Sequence, residues 1–219
     1  MDRKEINLET WDRKIFFEFF KKFDKPFWSM TTQVDVTELV KFCKQTKYSF
    51  YASMSYIVLA SCNAVQNFRL RCENDKIYDY SQVNGQFTAL TKSGNADIAR
   101  RIHFNQDFDT FVNDFISLKL ETEEQRIPPH PRELYDDVVF LSCTPWFRFS
   151  QLDPVLHYSL KDTIPRITWG KYELVNDRYV IDISLAIHHS FIDGYHVSLF
   201  LDEIQNQIKK LLNTKKITI

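Results

Sequence analysis

The segment His188-His189-Ser190-Phe191-Ile192-Asp193-Gly194-Tyr195-His196 gathers three of the chain's six histidines and one carboxylate into nine residues. Imidazole is the side chain best suited to taking a proton from a hydroxyl near neutral pH. Clustering alone decides little, and the run before it matters more. With a period of two, Ile181, Ile183, Leu185, Ile187 and His189 share one face, so the second histidine extends an apolar row into the protein. Partial desolvation there favours the neutral ring, the form that accepts a proton from a substrate hydroxyl. Two plainer roles fit the same residues. A histidine at a strand end commonly packs as a satisfied core residue, and Asp193 before Gly194 suits the N-cap of a following helix. Adjacent histidines point to opposite faces of a strand, and no carboxylate or thiol stands at a ligand-like offset, so no metal is expected.

The elements that must hold this segment are legible around it. A long strand over Arg178–His188 leads in. A helix over Val197–Leu212 leads out, with Val197, Phe200, Leu201, Ile204, Ile208, Leu211 and Leu212 on one stripe and Lys209 and Lys210 near its C-terminal end. Upstream, Trp11–Phe20 is dense in aromatics around Arg13 and Lys14, and Val36, Leu39, Val40 and Cys43 fall at helical spacing. Phe50–Val65 is apolar nearly all round, the pattern of a helix buried on several sides.

Short alternating runs from Phe68 to Leu90 predict a meander of strands, and Phe108, Phe111, Val112 and Phe115 predict a helix. Pro128-Pro129-His130-Pro131 reads as a surface connection, too short for a domain linker. Beyond it, strands are expected at Val138–Ser142, Trp146–Phe149 and Arg166–Leu174. The mixed order gives one domain spanning 1–219, of α/β class in its two-layer α+β form, around one large mixed sheet.

Composition sets the outer limits. The 219 residues are 44% hydrophobic and 26% charged, with a formal net charge of -1, so nothing suggests the basic surface that nucleic acid requires. Nineteen phenylalanines and ten tyrosines suggest a broad apolar pocket or interface. Cys43, Cys62, Cys72 and Cys143 show no CxxC spacing, and all but Cys72 sit in apolar runs, as reduced thiols do. Met1-Asp2-Arg3-Lys4-Glu5 lacks the apolar stretch of a signal peptide, and no run approaches a membrane span. A soluble cytoplasmic protein with neither membrane nor nucleic-acid partners is expected.

The histidine segment resembles the HHxxxDG-aromatic-His signature of the chloramphenicol acetyltransferase family. Condensation domains of peptide synthetases share HHxxxDG, but further segments here fall in the acetyltransferase order. These are Trp11-Asp12-Arg13-Lys14, Phe50-Tyr51, Asn67-Phe68-Arg69, Ser142-Cys143-Thr144-Pro145-Trp146 and Thr168-Trp169-Gly170-Lys171-Tyr172.

The resemblance implies a CoA-dependent acyltransferase fold, a mixed sheet flanked by helices, assembled as a homotrimer with active sites between subunits. It implies transfer of acetyl from acetyl-CoA, a co-substrate, to the 3-hydroxyl of chloramphenicol, with no tightly bound cofactor and with antibiotic resistance as the outcome. His189 is then the general base, Ser142 the oxyanion donor, and Thr168 the residue associated with a nearby water. Asp193 and Arg13 form a supporting ion pair, and Lys171 and Tyr172 contact CoA. Phe20, Phe27, Trp28 and Leu152 line the acceptor pocket, while Phe27 and Trp28 fit plain core packing equally well. The family usually carries a serine where Arg148 stands. Two alternatives accompany this expectation: an acyltransferase acting on another hydrophobic alcohol or with a longer acyl donor, and a catalytically inactive member with a binding role.

Overall fold

Eleven residues of alternating character, Arg178–His188, form the spine of the molecule. The computed structural model describes residues 2–98, 101–124, 136–156 and 162–216. Pro128-Pro129-His130-Pro131 lies outside them. In chain order the elements are β1 (Arg3–Glu5), α1 (Lys14–Phe20), β2 (Phe27–Asp35), α2 (Thr37–Thr46), α3 (Phe50–Ala64), β3 (Leu70–Glu73), β4 (Lys76–Tyr80) and β5 (Asn84–Leu90). There follow β6 (Ala96–Ile98), α4 (Phe108–Glu123), β7 (Val138–Cys143), β8 (Arg166–Trp169), β9 (Glu173–Val175), β10 (Arg178–His188) and α5 (Gly194–Lys215).

Among the described residues the main sheet runs β2-β10-β8-β7-β5-β6, with β9 also on β10. β5, β7 and β8 are mutually parallel, whereas β10 is antiparallel to both β2 and β8. A smaller antiparallel sheet, β1-β4-β3, stands apart. This is the mixed sheet that the order of elements predicts.

The two faces of the main sheet differ in kind. Ile181, Ile183, Leu185 and Ile187 of β10 join Ile167, Trp169, Val139, Leu141 and Phe87 in the core, packed with apolar residues of α2, α3, α4 and α5. α3, apolar nearly all round, is buried from Ala52 to Cys62, as a central helix must be. β5 passes so close to it that a Cβ at Gly85 would lie 2.9 Å from Leu59 Cδ1 and 2.9 Å from Ile102 Cγ2. The opposite face carries Asp182, Ser184, Ala186 and His188 of β10.

Three predicted strands differ in detail. Phe68 and Arg69 lie in a 3-10 turn, Gln66–Arg69, because Arg69 donates to the carbonyls of Asn63 and Tyr80 and folds the segment back on α3. Trp146–Phe149 is not a strand: the chain leaves the sheet at Pro145, which has no N–H to give to it. The strand expected over Arg166–Leu174 is interrupted after Trp169, and β8 and β9 pair with successive stretches of β10.

Candidate active site

β10 ends at His188, and the five residues that follow turn the chain into α5. Each of their carbonyls is occupied. His188 O accepts from the N–H groups of Phe191 and Ile192, both at 3.1 Å. Arg13 Nη2 donates to His189 O and Arg13 Nε to Ser190 O, each at 3.3 Å. Asn67 Nδ2 donates to Phe191 O at 2.8 Å, and Trp28 Nε1 to Ile192 O at 3.1 Å. Asp193 O accepts the first helical bond, from Val197 N. A loop with every carbonyl engaged has little freedom, so the histidine it carries is held in place.

His189 is half-buried. Its ring stacks on Phe20, with centroids 4.3 Å apart, and tilts against Trp28 at 5.5 Å. Nδ1 lies 3.2 Å from Ile192 O, and a carbonyl can only accept, so Nδ1 carries the proton. In the neutral ring Nε2 is then the bare nitrogen, the acceptor form needed to take a proton from a hydroxyl.

Arg13 and Asp193 secure this arrangement. Arg13 Nη1 donates to Asp193 Oδ2 at 2.7 Å, and the same carboxylate caps α5 by accepting from the N–H groups of Tyr195 and His196. Its partner His196 holds Nδ1 2.7 Å from Oδ1. Burial pushes the Asp193 carboxyl up, but the Arg13 bond and the His196 and Arg13 charges outweigh it and hold the group at about 2. The carboxylate is therefore charged at any physiological pH. Asp193 serves both as the helix cap that its place before Gly194 suits and as the partner of Arg13 that the resemblance implies.

His188 points the other way. It is 2% exposed, and burial lowers it to about 4, with Asp162 opposing and His189 assisting. The Ser190 N–H donates to its Nδ1 at 3.3 Å. Phe27 lies on the same face, its ring 5.1 Å from His188 and 5.9 Å from the Arg166 guanidinium carbon. Phe27 is thus not brought to His189, whereas Phe20 and Trp28 are. The physical reason is the pleat: Phe27 is the cross-strand partner of His188, and Trp28 that of Ile187.

The remaining candidates form a second group. Ser142 of β7 pairs with Thr168 of β8, Thr168 with Ser184 of β10, and Ser184 with Thr31 of β2. Thr88 Oγ1 of β5 lies 3.0 Å from Ser142 Oγ, so five neighbouring strands present a row of hydroxyls on the face opposite the core. Leu152 lies over this row, its carbonyl accepting from Ser184 Oγ at 3.3 Å. Lys171 and Tyr172 follow β8. The Lys171 N–H donates to Phe147 O, and Tyr172 packs on Phe50 at 4.8 Å.

Five residues of extended chain and two strand spacings separate Ser142 from His189, on the order of 20 Å. Within one copy the two side chains cannot act on the same atoms, which would need both within about 3 Å.

Sequence reasoning passed over Asn67 as a loop anchor, the indole N–H of Trp28, and Thr88. The signal for Thr88 was its place in the alternating run Gln86-Phe87-Thr88-Ala89-Leu90, facing away from Phe87. Arg148 was noted only as a departure. Its Nε and Nη2 fork onto Asp182 at 2.8 and 3.0 Å, and Nη1 reaches Glu173 at 3.3 Å. These bonds raise the guanidinium further above its ordinary range. They lie along an open cleft of about 550 Å³ shared with Thr31, Thr32 and Gln33. Among the described residues no histidine, cysteine and carboxylate group is placed to hold a metal, and no helix is long and apolar enough to cross a membrane.

A chloramphenicol acetyltransferase from Staphylococcus aureus is 29% identical over 210 residues, covering 94% of this chain and 96% of that one. A solved chloramphenicol acetyltransferase superposes with a TM-score of 0.82 at 26% identity, over 94% of this chain and 100% of the other. A probable dihydrolipoamide acetyltransferase from Listeria monocytogenes shares the fold at a TM-score of 0.65 and 16% identity, with 94% of both chains covered. The chloramphenicol acetyltransferase family model matches residues 1–205, and with the histidine loop and mixed sheet described above it makes this chain a member of that family.

Proposed function

We propose that the chain is a chloramphenicol O-acetyltransferase that carries acetyl from acetyl-CoA to the 3-hydroxyl of the antibiotic. The observation that carries this reading is the hydrogen bond from His189 Nδ1 to Ile192 O, which leaves Nε2 free as a base. Nε2 takes the hydroxyl proton as the oxygen attacks the thioester carbonyl carbon. The carbonyl electron pair moves onto oxygen, where Ser142 donates to it, an interaction worth on the order of 3–4 kcal/mol in comparable sites. Collapse of the intermediate expels CoA thiolate, which takes the proton back from His189. Thr168, beside Ser142 in the sheet, binds a water near the oxyanion, while Lys171 and Tyr172 contact CoA. Phe20 and Trp28 wall the acceptor beside the base, and Leu152 lies beside the oxyanion donor. No tightly bound cofactor takes part.

The enzyme works as a homotrimer, with His189 from one subunit meeting Ser142 from the next. The separation of these residues within one copy supports this, as do exposed apolar side chains at both groups: Ile15, Phe16, Phe19 and Phe23 near the base, and Trp146 and Phe147 near the hydroxyls. The whole described chain acts as one domain in the cytoplasm, where acetyl-CoA is available, and confers resistance.

Arg148, bound to Asp182 and Glu173, favours a second reading in which the acceptor is another hydrophobic alcohol. CoA release from acetyl-CoA, followed with a thiol reagent with and without chloramphenicol, tests both readings. Chloramphenicol-dependent release, lost in His189→Ala, is the expected result. Release that ignores chloramphenicol but responds to another alcohol would replace the acceptor, and none with any alcohol would overturn the enzyme reading.

A further inference from the structure

The row of hydroxyls across the sheet contains one contact that the proposed mechanism does not yet use. Thr88 Oγ1 is 3.0 Å from Ser142 Oγ, and Thr88 is itself fixed: its carbonyl accepts from Tyr51 OH at 2.8 Å, and Phe87 beside it is fully buried. β5 and β7 are parallel with Phe87 opposite Leu141, so the two hydroxyls are held side by side on the same face. Either oxygen can be the donor. If Ser142 donates to Thr88, its proton is spent; if Thr88 donates to Ser142, the serine proton is free to point at a substrate oxygen.

We propose that Thr88 is a positioning residue that sets the direction of the Ser142 hydroxyl, and this rests on the reading of Ser142 as the oxyanion donor. Negative charge arriving beside Ser142 selects the arrangement in which the serine proton faces the charge and the threonine proton faces the serine oxygen. In that chain each bond polarises the next, so the serine becomes a stronger donor than it would be alone. The contribution is realised when the oxyanion forms, and so bears on kcat more than on binding.

Steady-state kinetics with acetyl-CoA and chloramphenicol on Thr88→Val, Thr88→Ser, Ser142→Ala and the Thr88→Val/Ser142→Ala pair test this. Valine keeps the shape of threonine without its hydroxyl. Thermal unfolding reports whether it folds as the wild type does, and Thr88→Ala replaces it if it does not. The expected result is a five- to tenfold fall in kcat for Thr88→Val with both KM values within about twofold of wild type, near-complete recovery in Thr88→Ser, and no further loss in the double variant. A wild-type kcat in Thr88→Val overturns the inference, as does an equal loss in the presence and absence of Ser142. An unchanged kcat in Ser142→Ala removes the oxyanion reading itself, and the inference with it.

Discussion

Arg13 Nη1 lies 2.7 Å from Asp193 Oδ2, joining residues 180 positions apart in the chain. Through its other nitrogens the same guanidinium holds the carbonyls of His189 and Ser190. One side chain at the start of α1 thus fixes the cap of α5 and the backbone carbonyls of the proposed base and of the residue after it.

Removing either partner leaves the other charge in a poorly solvated place. Arg13 is 12% exposed and Asp193 31%, so the cost falls below the 3–5 kcal/mol typical of a fully buried pair, at about 2–4 kcal/mol. Arg13→Ala should lower the urea midpoint accordingly and reduce kcat at least tenfold. His189→Ala should abolish turnover with little change in midpoint. An Arg13→Ala protein with wild-type stability and kcat would show that the pair supports neither.

His188 makes stability depend on pH. Burial holds it at about 4, against 6.5 when exposed, so the unfolded chain binds the proton more tightly. Its contribution is complete above pH 6.5 and is lost as pH falls from there to about 4, roughly 3 kcal/mol in all. His188→Asn, which can still accept from the Ser190 N–H, should lack this slope. The measurement is unfolding free energy at pH 7.5 and 5 for both proteins. Parallel curves would refute it.

Arg71, 2% exposed, donates to the carbonyls of Phe68, Leu70, Asp136 and Val138. Burial lowers it to about 10, still charged at neutral pH. Arg71→Met should strand those acceptors and cost about 3–5 kcal/mol, read by chemical denaturation. A loss under 1 kcal/mol would mean that water replaces the guanidinium.

A shared active site predicts complementation. His189→Ala and Ser142→Ala proteins, each deficient alone, should regain activity when unfolded together and refolded as mixed trimers. With random assembly about a quarter of the sites would hold both wild-type residues. Sedimentation should give three copies. Activity that stays at the sum of the two separate variants would argue against a site formed by two subunits.

The clearest sequence signals were those that repeat locally. β10 coincides with the alternating run Arg178–His188, and α3 nearly so with the apolar run from Phe50, because side-chain period and burial follow from neighbouring residues. β2 was harder to see. Trp28, Met30 and Val34 share one face, but Phe27 breaks the alternation, and as a result Phe27 and Trp28 read as one apolar pair when the strand sends them to opposite sides.

By itself, then, the sequence determined the class of fold, the strand that presents His189, and, through its motifs, the family to which the chain belongs. Tertiary structure alone decided which nitrogen of His189 carries the proton, which carbonyls Arg13, Asn67 and Trp28 hold, that Thr88 touches Ser142, and that Ser142 and His189 stand apart. The physical reason is range. Period and hydropathy act over a few residues, whereas the donors that fix the histidine loop come from residues 124 to 180 positions away and meet it only once the core has packed.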